Sequence, residues 1–229
     1  MARKVGLTLD DVVAAAADVA DRDGLDAVTL ATVAGALGVK APSLYAHVAG
    51  LDGLRRELGR EGARRLGAAM DRALAEVASD DGGTRRRSTG SGPDARRGRG
   101  SARRTGSPST SSAHPADALR AVAHAYRRFA HEHPGLYAAM LPAPDPTTDP
   151  EAAADFAGAI TAPVQVMDGF GLPPGATIDA VRTVRALLHG FVDLELRGGF
   201  GLPDPVDDTF DHAIDLAVAA LTPVTRATR

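Results

Sequence analysis

Between Val28 and Val48 two short apolar stripes of helical spacing are separated by a single glycine. In the first, Leu30, Val33, Ala34 and Leu37 recur at i, i+3, i+4 and i+7, which is one face of a helix. In the second, Leu44 and Val48 stand four apart, with Val39 just ahead of them. Gly38 accepts a positive φ at little cost, so it can end the first helix within one residue. Pro42 suits the first turn of the second helix, where its missing N–H is not needed. Two short helices joined by such a turn make a helix-turn-helix, whose second helix can enter the major groove of DNA. Leu37, Leu44 and Val48 are the core of this unit.

The flanking chain reads as helix too. Thr8 followed three residues later by Asp11 resembles a capping box, and Leu9, Val12, Val13, Ala16 and Ala20 mark one apolar face up to Asp23-Gly24. Thr29 is the N-cap of the helix that Leu30 opens. A connecting helix over 51–78 carries Leu51, Leu54, Leu58, Leu66, Met70, Leu74 and Val77. Its glycines at 53, 59, 62 and 67 each cost about 1 kcal/mol relative to Ala, so tertiary packing must hold it.

Residues 79–115 change character. Gly, Ser, Thr, Pro and Arg dominate, and no Val, Ile, Leu, Met, Phe or Tyr lies between Ala78 and Ala118. Such a segment cannot bury enough surface to offset its ordering entropy, and a disordered insert is expected. Periodicity then returns. A stripe runs from Leu119 through Val122, Ala123 and Tyr126 to Phe129, and a short helix follows over 136–141. After a proline-rich loop comes a helix over 151–168, with Pro163 a kink. Long helices are expected over 177–196 and 206–222, separated by the Gly/Pro-rich stretch 198–205. No strand pattern appears. The fold class is all-α: an N-terminal three-helix helix-turn-helix domain (1–50), the connecting helix (51–78), the insert (79–115) and a helical ligand-binding and dimerisation domain (116–224).

The totals narrow the chemistry. There is no Cys, so no disulfide and no thiolate site. No run approaches the roughly 18 apolar residues of a membrane span, and a soluble, cytoplasmic protein with no membrane partner is expected. Gly-x-Ser-x-Gly, phosphate-loop and His-Glu-x-x-His patterns are absent, which leaves no catalytic set, no cofactor and no metal. His131 and His133 do not share a helical face and precede Pro134, so they read as a solvated helix end. The net charge of −3 hides an asymmetry, because residues 80–112 hold eight Arg against three Asp. Residues 1–60 hold seven Lys and Arg against eight Asp and Glu. Phosphate binding there must draw on backbone N–H groups, helix N-termini and the doubling of contacts in a dimer.

Residues 8–58 resemble the DNA-binding domain of the TetR/AcrR family of bacterial repressors. The resemblance rests on Ala14-Ala15, Gly24-Leu25-Asp26-Ala27-Val28-Thr29-Leu30, Val33-Ala34, Leu37-Gly38-Val39, Ala41-Pro42-Ser43-Leu44-Tyr45, His47-Val48 and Leu54. The C-terminal half is similar to the branch with a Trp-His-Gly signature, here Leu188-His189-Gly190-Phe191-Val192-Asp193-Leu194-Glu195, with Leu in the Trp position. The resemblance implies a homodimer on a palindromic double-stranded DNA operator, released by an unidentified small-molecule effector. Tyr45 and His47 match positions that face phosphates. Lys40, Ala41, Pro42 and Ser43 match the turn that meets base edges, and Thr29 completes the DNA-contacting set. The chain departs from the family in having alanine at 31 and 41, which cannot form a bidentate base pair contact, and in lacking the usual Lys just after His47-Val48. Arg55 and Arg56 stand where they can replace that contact. The last two long helices would form the dimer interface through Phe191, Leu194, Phe210, Ile214 and Val218. A ligand-gated bundle needs an apolar pocket with a few polar groups, and its candidate lining is Tyr126, Tyr137, Met140, Phe156, Met167 and His189. Two other readings stay open: a nucleic-acid-binding module dominated by the Arg-rich segment, and an α-helical enzyme.

Overall fold

The computed structural model describes residues 6–88 and 114–222, and among them there is helix and no strand. Helix α1 spans Leu9–Asp23 and α2 spans Leu30–Leu37. Both begin as their sequences dictate. The Thr8 side chain accepts from the Asp11 amide while Asp11 accepts from the Thr8 amide, and Thr29 and Thr32 repeat that reciprocal cap. Gly38 closes α2 at φ 66°, with the Val39 N–H donating to the Ala34 carbonyl, the bond of a Schellman turn.

The second helix of the motif, Ala41–Ala46, is a tight 3₁₀ helix. Ser43 N–H donates to the Lys40 carbonyl and His47 N–H to that of Leu44. Six residues with Pro42 in the first turn give little length for an i→i+4 ladder, and short segments settle for i→i+3 bonds. Leu44 and Val48 are buried beneath it with Val12, Val33 and Leu54.

Helix α3 runs from Gly50 to Ser88. It continues ten residues past the point where the insert was expected to begin. Residues 89–113 of that insert lie outside the described residues, and its last two, His114 and Pro115, cap and open the next helix. Helix α4 spans Pro115–Glu132 and α5 spans Pro134–Ala139. Three of the glycines in α3 are explained by close packing. A Cβ on Gly59 would stand 3.0 Å from the Ala139 carbonyl oxygen and one on Gly62 2.8 Å from that of Leu136, so α5 lies directly on the α3 backbone. Gly67 gives the same clearance to Ala159.

The helix expected over 151–168 is two helices, α6 (Pro150–Ala159) and α7 (Thr161–Gly169), broken at Ile160. Pro163 cannot donate to the Ala159 carbonyl and its ring crowds it, so the ladder ends there and restarts behind the proline. Helices α8 (Thr177–Leu196) and α9 (Val206–Leu221) complete the bundle. One hydrophobic core runs without interruption from Val12 in α1 to Ile214 in α9.

Candidate functional site

The 3₁₀ helix and its two flanking residues carry the residues expected to meet DNA, apart from Thr29, which caps α2. Thr29, Lys40, Pro42, Ser43 and Tyr45 are exposed, while Ala41 and His47 are half-buried. Tyr45 is 64% exposed although Leu44 beside it is fully buried. An aromatic ring displayed by a rigidly seated neighbour is available to a partner and adds nothing to the core. Arg55 is exposed nearby and forms no ion pair with a described residue. Arg56 does not join it as expected. Its guanidinium turns to Asp149 at 3.6 Å, the residue that caps α6 through the Ala152 amide. Arg60, one turn on, donates to Asp155 at 2.7 Å.

A polar clamp joins the two halves of the chain. The Asp21 carboxylate on α1 accepts from the backbone N–H groups of Gly135 (2.8 Å) and Leu136 (3.1 Å) at the start of α5. Its second oxygen meets His133 Nδ1 at 2.9 Å. A Cβ on Gly135 would run into the backbone of Ala20, so α1 and α5 touch main chain to main chain. His133 is therefore part of a domain junction and not a solvated helix end. A contact between residues more than a hundred positions apart leaves no local signal in the sequence.

Beyond α5 lies an apolar cavity of about 70 Å³, lined by α3, α4, α6, α7 and α8. Four of the six expected lining residues, Tyr126, Met140, Phe156 and Met167, are in its wall. Tyr137 and His189 are not. They stand behind Tyr126 in a hydrogen-bonded chain, Tyr126 OH to Tyr137 OH at 3.0 Å and Tyr137 OH to His189 Nδ1 at 2.6 Å. Burial pushes the hydroxyl pKa of both tyrosines up, that of Tyr137 strongly, so both stay protonated and the chain can relay hydrogen-bond polarity. The wall also includes Arg185 of α8, which borders the cavity beside Val181, Val184 and Leu188 while the rest of its side chain is exposed to solvent. Its place four residues after Val181 and three before Leu188 was readable in the sequence, but an arginine there reads first as a solvated edge.

Three of the five residues expected at a dimer interface are inside the subunit. Phe210 and Ile214 are fully buried and Phe191 nearly so. Phe210 packs edge-on against His124 and Phe191, and the Arg127 guanidinium lies 4.8 Å over its ring. Arg127 also donates to Glu195 and Asp207, and His131 Nε2 meets Glu195 at 2.9 Å, which ties α4 to α8 and α9. The clean apolar periodicity of α8 and α9 marks the face turned to α4. Leu194 remains on the surface at 50% exposure and Val218 is half-buried. The outward stripe of α8 is Leu187, Gly190 and Leu194, and that of α9 is centred on Leu216, 59% exposed.

Among the described residues no group of acidic and histidine side chains has the spacing of a metal site, and no helix is long and apolar enough to cross a membrane. Residues 119–217 match the model of the tetracyclin repressor-like C-terminal domain. The chain is 33% identical over 198 residues to an HTH-type transcriptional regulator of Mycobacterium tuberculosis, covering 86% of this chain and 74% of that one. It is 28% identical over 222 residues to the HTH-type transcriptional regulator YobS of Bacillus subtilis, covering 96% of each. Its fold matches a TetR variant from Acinetobacter baumannii, solved in complex with minocycline. The TM-score is 0.53 at 19% identity, over 94% of this chain and 96% of that one.

Proposed function

Since the chain belongs to the TetR family of helix-turn-helix transcriptional regulators, we propose that it works as a repressor: a homodimer binds a palindromic operator, and a small molecule in the apolar cavity releases it. The observation that carries this reading is the unbroken physical path from cavity to DNA face. Met140 lines the cavity at the end of α5, the start of α5 is held by Asp21, and α1 packs against the helix-turn-helix. A ligand that displaces α5 has a differential contact with two arrangements of that path, which is what allosteric release requires. That the A. baumannii variant of similar fold was solved in complex with minocycline supports a small-molecule ligand here. The Leu188-His189-Gly190 stretch supports reading the chain as a member of the Trp-His-Gly branch.

Lys40, Ser43, Tyr45 and His47 would carry the DNA contacts, with Thr29, Ala41 and Pro42 shaping the approach. The second subunit would pack on the outward stripes of α8 and α9 through Leu187, Gly190, Leu194 and Leu216. A cytoplasmic location follows from a DNA partner. Selection from a random duplex pool tests the reading. A palindromic site whose half-sites lie about one helical turn or a simple multiple apart is expected. Enrichment of single strands, or of no sequence, overturns it. Deleting residues 89–113 separates it from a module driven by the Arg-rich segment: operator specificity should survive the deletion.

A further inference from the structure

The cavity wall is chemically lopsided. Fourteen of its sixteen lining side chains are purely hydrocarbon or thioether, and the two that carry polar groups are Tyr126 and Arg185. No Asp or Glu lines it, and Arg185 forms no hydrogen bond or ion pair with a described residue, although arginines to either side, Arg182 and Arg197, do. Arg185 is exposed to solvent, and an unpaired guanidinium at the rim of an otherwise apolar cavity favours an anion and rejects a cation. One hydroxyl beside it completes a site for a single small headgroup. Sugars and nucleotides carry many more polar groups than this wall can satisfy, and each unmet group is penalised on burial.

We infer that the cavity takes an apolar molecule bearing one carboxylate, its chain among Met70, Met140, Phe156 and Met167 and its headgroup on Arg185 and the Tyr126 hydroxyl. This rests on the reading of the cavity as the effector site. The Tyr126–Tyr137–His189 chain supports the headgroup. With the proton on His189 Nδ1, that nitrogen donates to Tyr137, Tyr137 donates to Tyr126, and the Tyr126 O–H is left to donate to a carboxylate. Arg185 is close enough for its charge to act on both phenols, drawing their pKa values down against the larger upward push of burial. The modest volume selects a slim chain over a fused-ring compound, since drug-sized sites are on the order of 300–1,000 Å³.

Isothermal titration of the full chain with octanoate and with octanol tests this, hexanoate and decanoate bracketing chain length. Octanoate should bind about tenfold or more tightly than octanol, as a charge-assisted pair implies. The advantage should vanish in Arg185→Gln and persist in Arg185→Lys. Val184→Trp, which fills the cavity, should abolish binding of both. Equal binding of acid and alcohol to the unaltered chain, or an advantage that survives Arg185→Gln, overturns the carboxylate inference and leaves the cavity reading standing. No binding of either probe, or binding that survives Val184→Trp, overturns both. The first comparison needs no variant, so a misfolded substitution cannot shield the inference.

Discussion

Asp21 accepts the Gly135 amide at 2.8 Å across the junction between the N-terminal helices and the C-terminal bundle. The same carboxylate holds Leu136 N–H and His133, so one α1 side chain satisfies the start of α5 and anchors the loop before it. Asp21→Ala leaves these donors partly buried without a partner. A loss of about 1–3 kcal/mol is expected in urea unfolding. If operator release depends on this junction, the variant also needs a different effector concentration for half-release. An unchanged release curve together with the stability loss would make the clamp structural only.

Tyr45, as a proposed DNA contact, can be tested apart from the fold. Because it is mostly exposed, Tyr45→Ala should leave helicity and melting temperature within experimental scatter. Operator affinity should fall about tenfold to a hundredfold, from the loss of one phosphate hydrogen bond in each of two subunits. Fluorescence anisotropy on the selected site reads the affinity and circular dichroism the helicity.

Phe210 and Leu216 separate the inner face of α9 from the outer. Phe210→Ala should destabilise the subunit by about 3–5 kcal/mol, because it empties a core position. Leu216→Glu should leave subunit stability nearly unchanged and shift sedimentation from dimer to monomer. If Leu216→Glu stays dimeric, the interface lies elsewhere.

Glu195 gives the fold an acid-sensitive tie. Its carboxyl is held below the ordinary value because Arg127 donates to it, with His131 adding to the effect and burial opposing it. A pKa depressed in the folded state contributes stability that is complete above the unfolded value, near 4.5, and lost as pH falls through the folded value. Unfolding free energy should therefore drop below about pH 4.5. Glu195→Gln should be less stable near neutrality by about 2 kcal/mol and show a shallower acid limb in denaturant titrations at stepped pH.

What the sequence made legible is local. Thr8 with Asp11, Thr29 and Gly38 act within one turn of chain, and each cap and stop is where its chemistry predicts. The bounds of α8 follow from periodicity alone. What stayed hidden depends on distant partners. The spacing of Phe191, Phe210 and Ile214 identifies an apolar face but not whether α4 or a second subunit covers it. The glycines of α3 read as a weakness until α5 and α6 are seen resting on them. Pro163 announced a disturbance, and only the structure shows that it splits one helix into two. Of the pocket residues, Tyr137 and His189 were placed one shell too near, since polar aromatics in amphipathic helices do not declare which neighbour they bond.

The main-chain contact between Gly135 and Ala20 has a consequence for engineering. A regulator of this kind invites domain exchange, with one protein's reading head joined to another's sensor. Here the reading head ends in a surface fitted to a glycine on the far side of the junction, with a carboxylate positioned for two particular amides. A chimera that keeps α1 must bring Pro134–Ala139 with it, and one that keeps the sensor must bring Ala20 and Asp21. The natural seam for recombination therefore does not follow the order of the chain: it cuts around α5, which belongs by sequence to one half and by fit to the other.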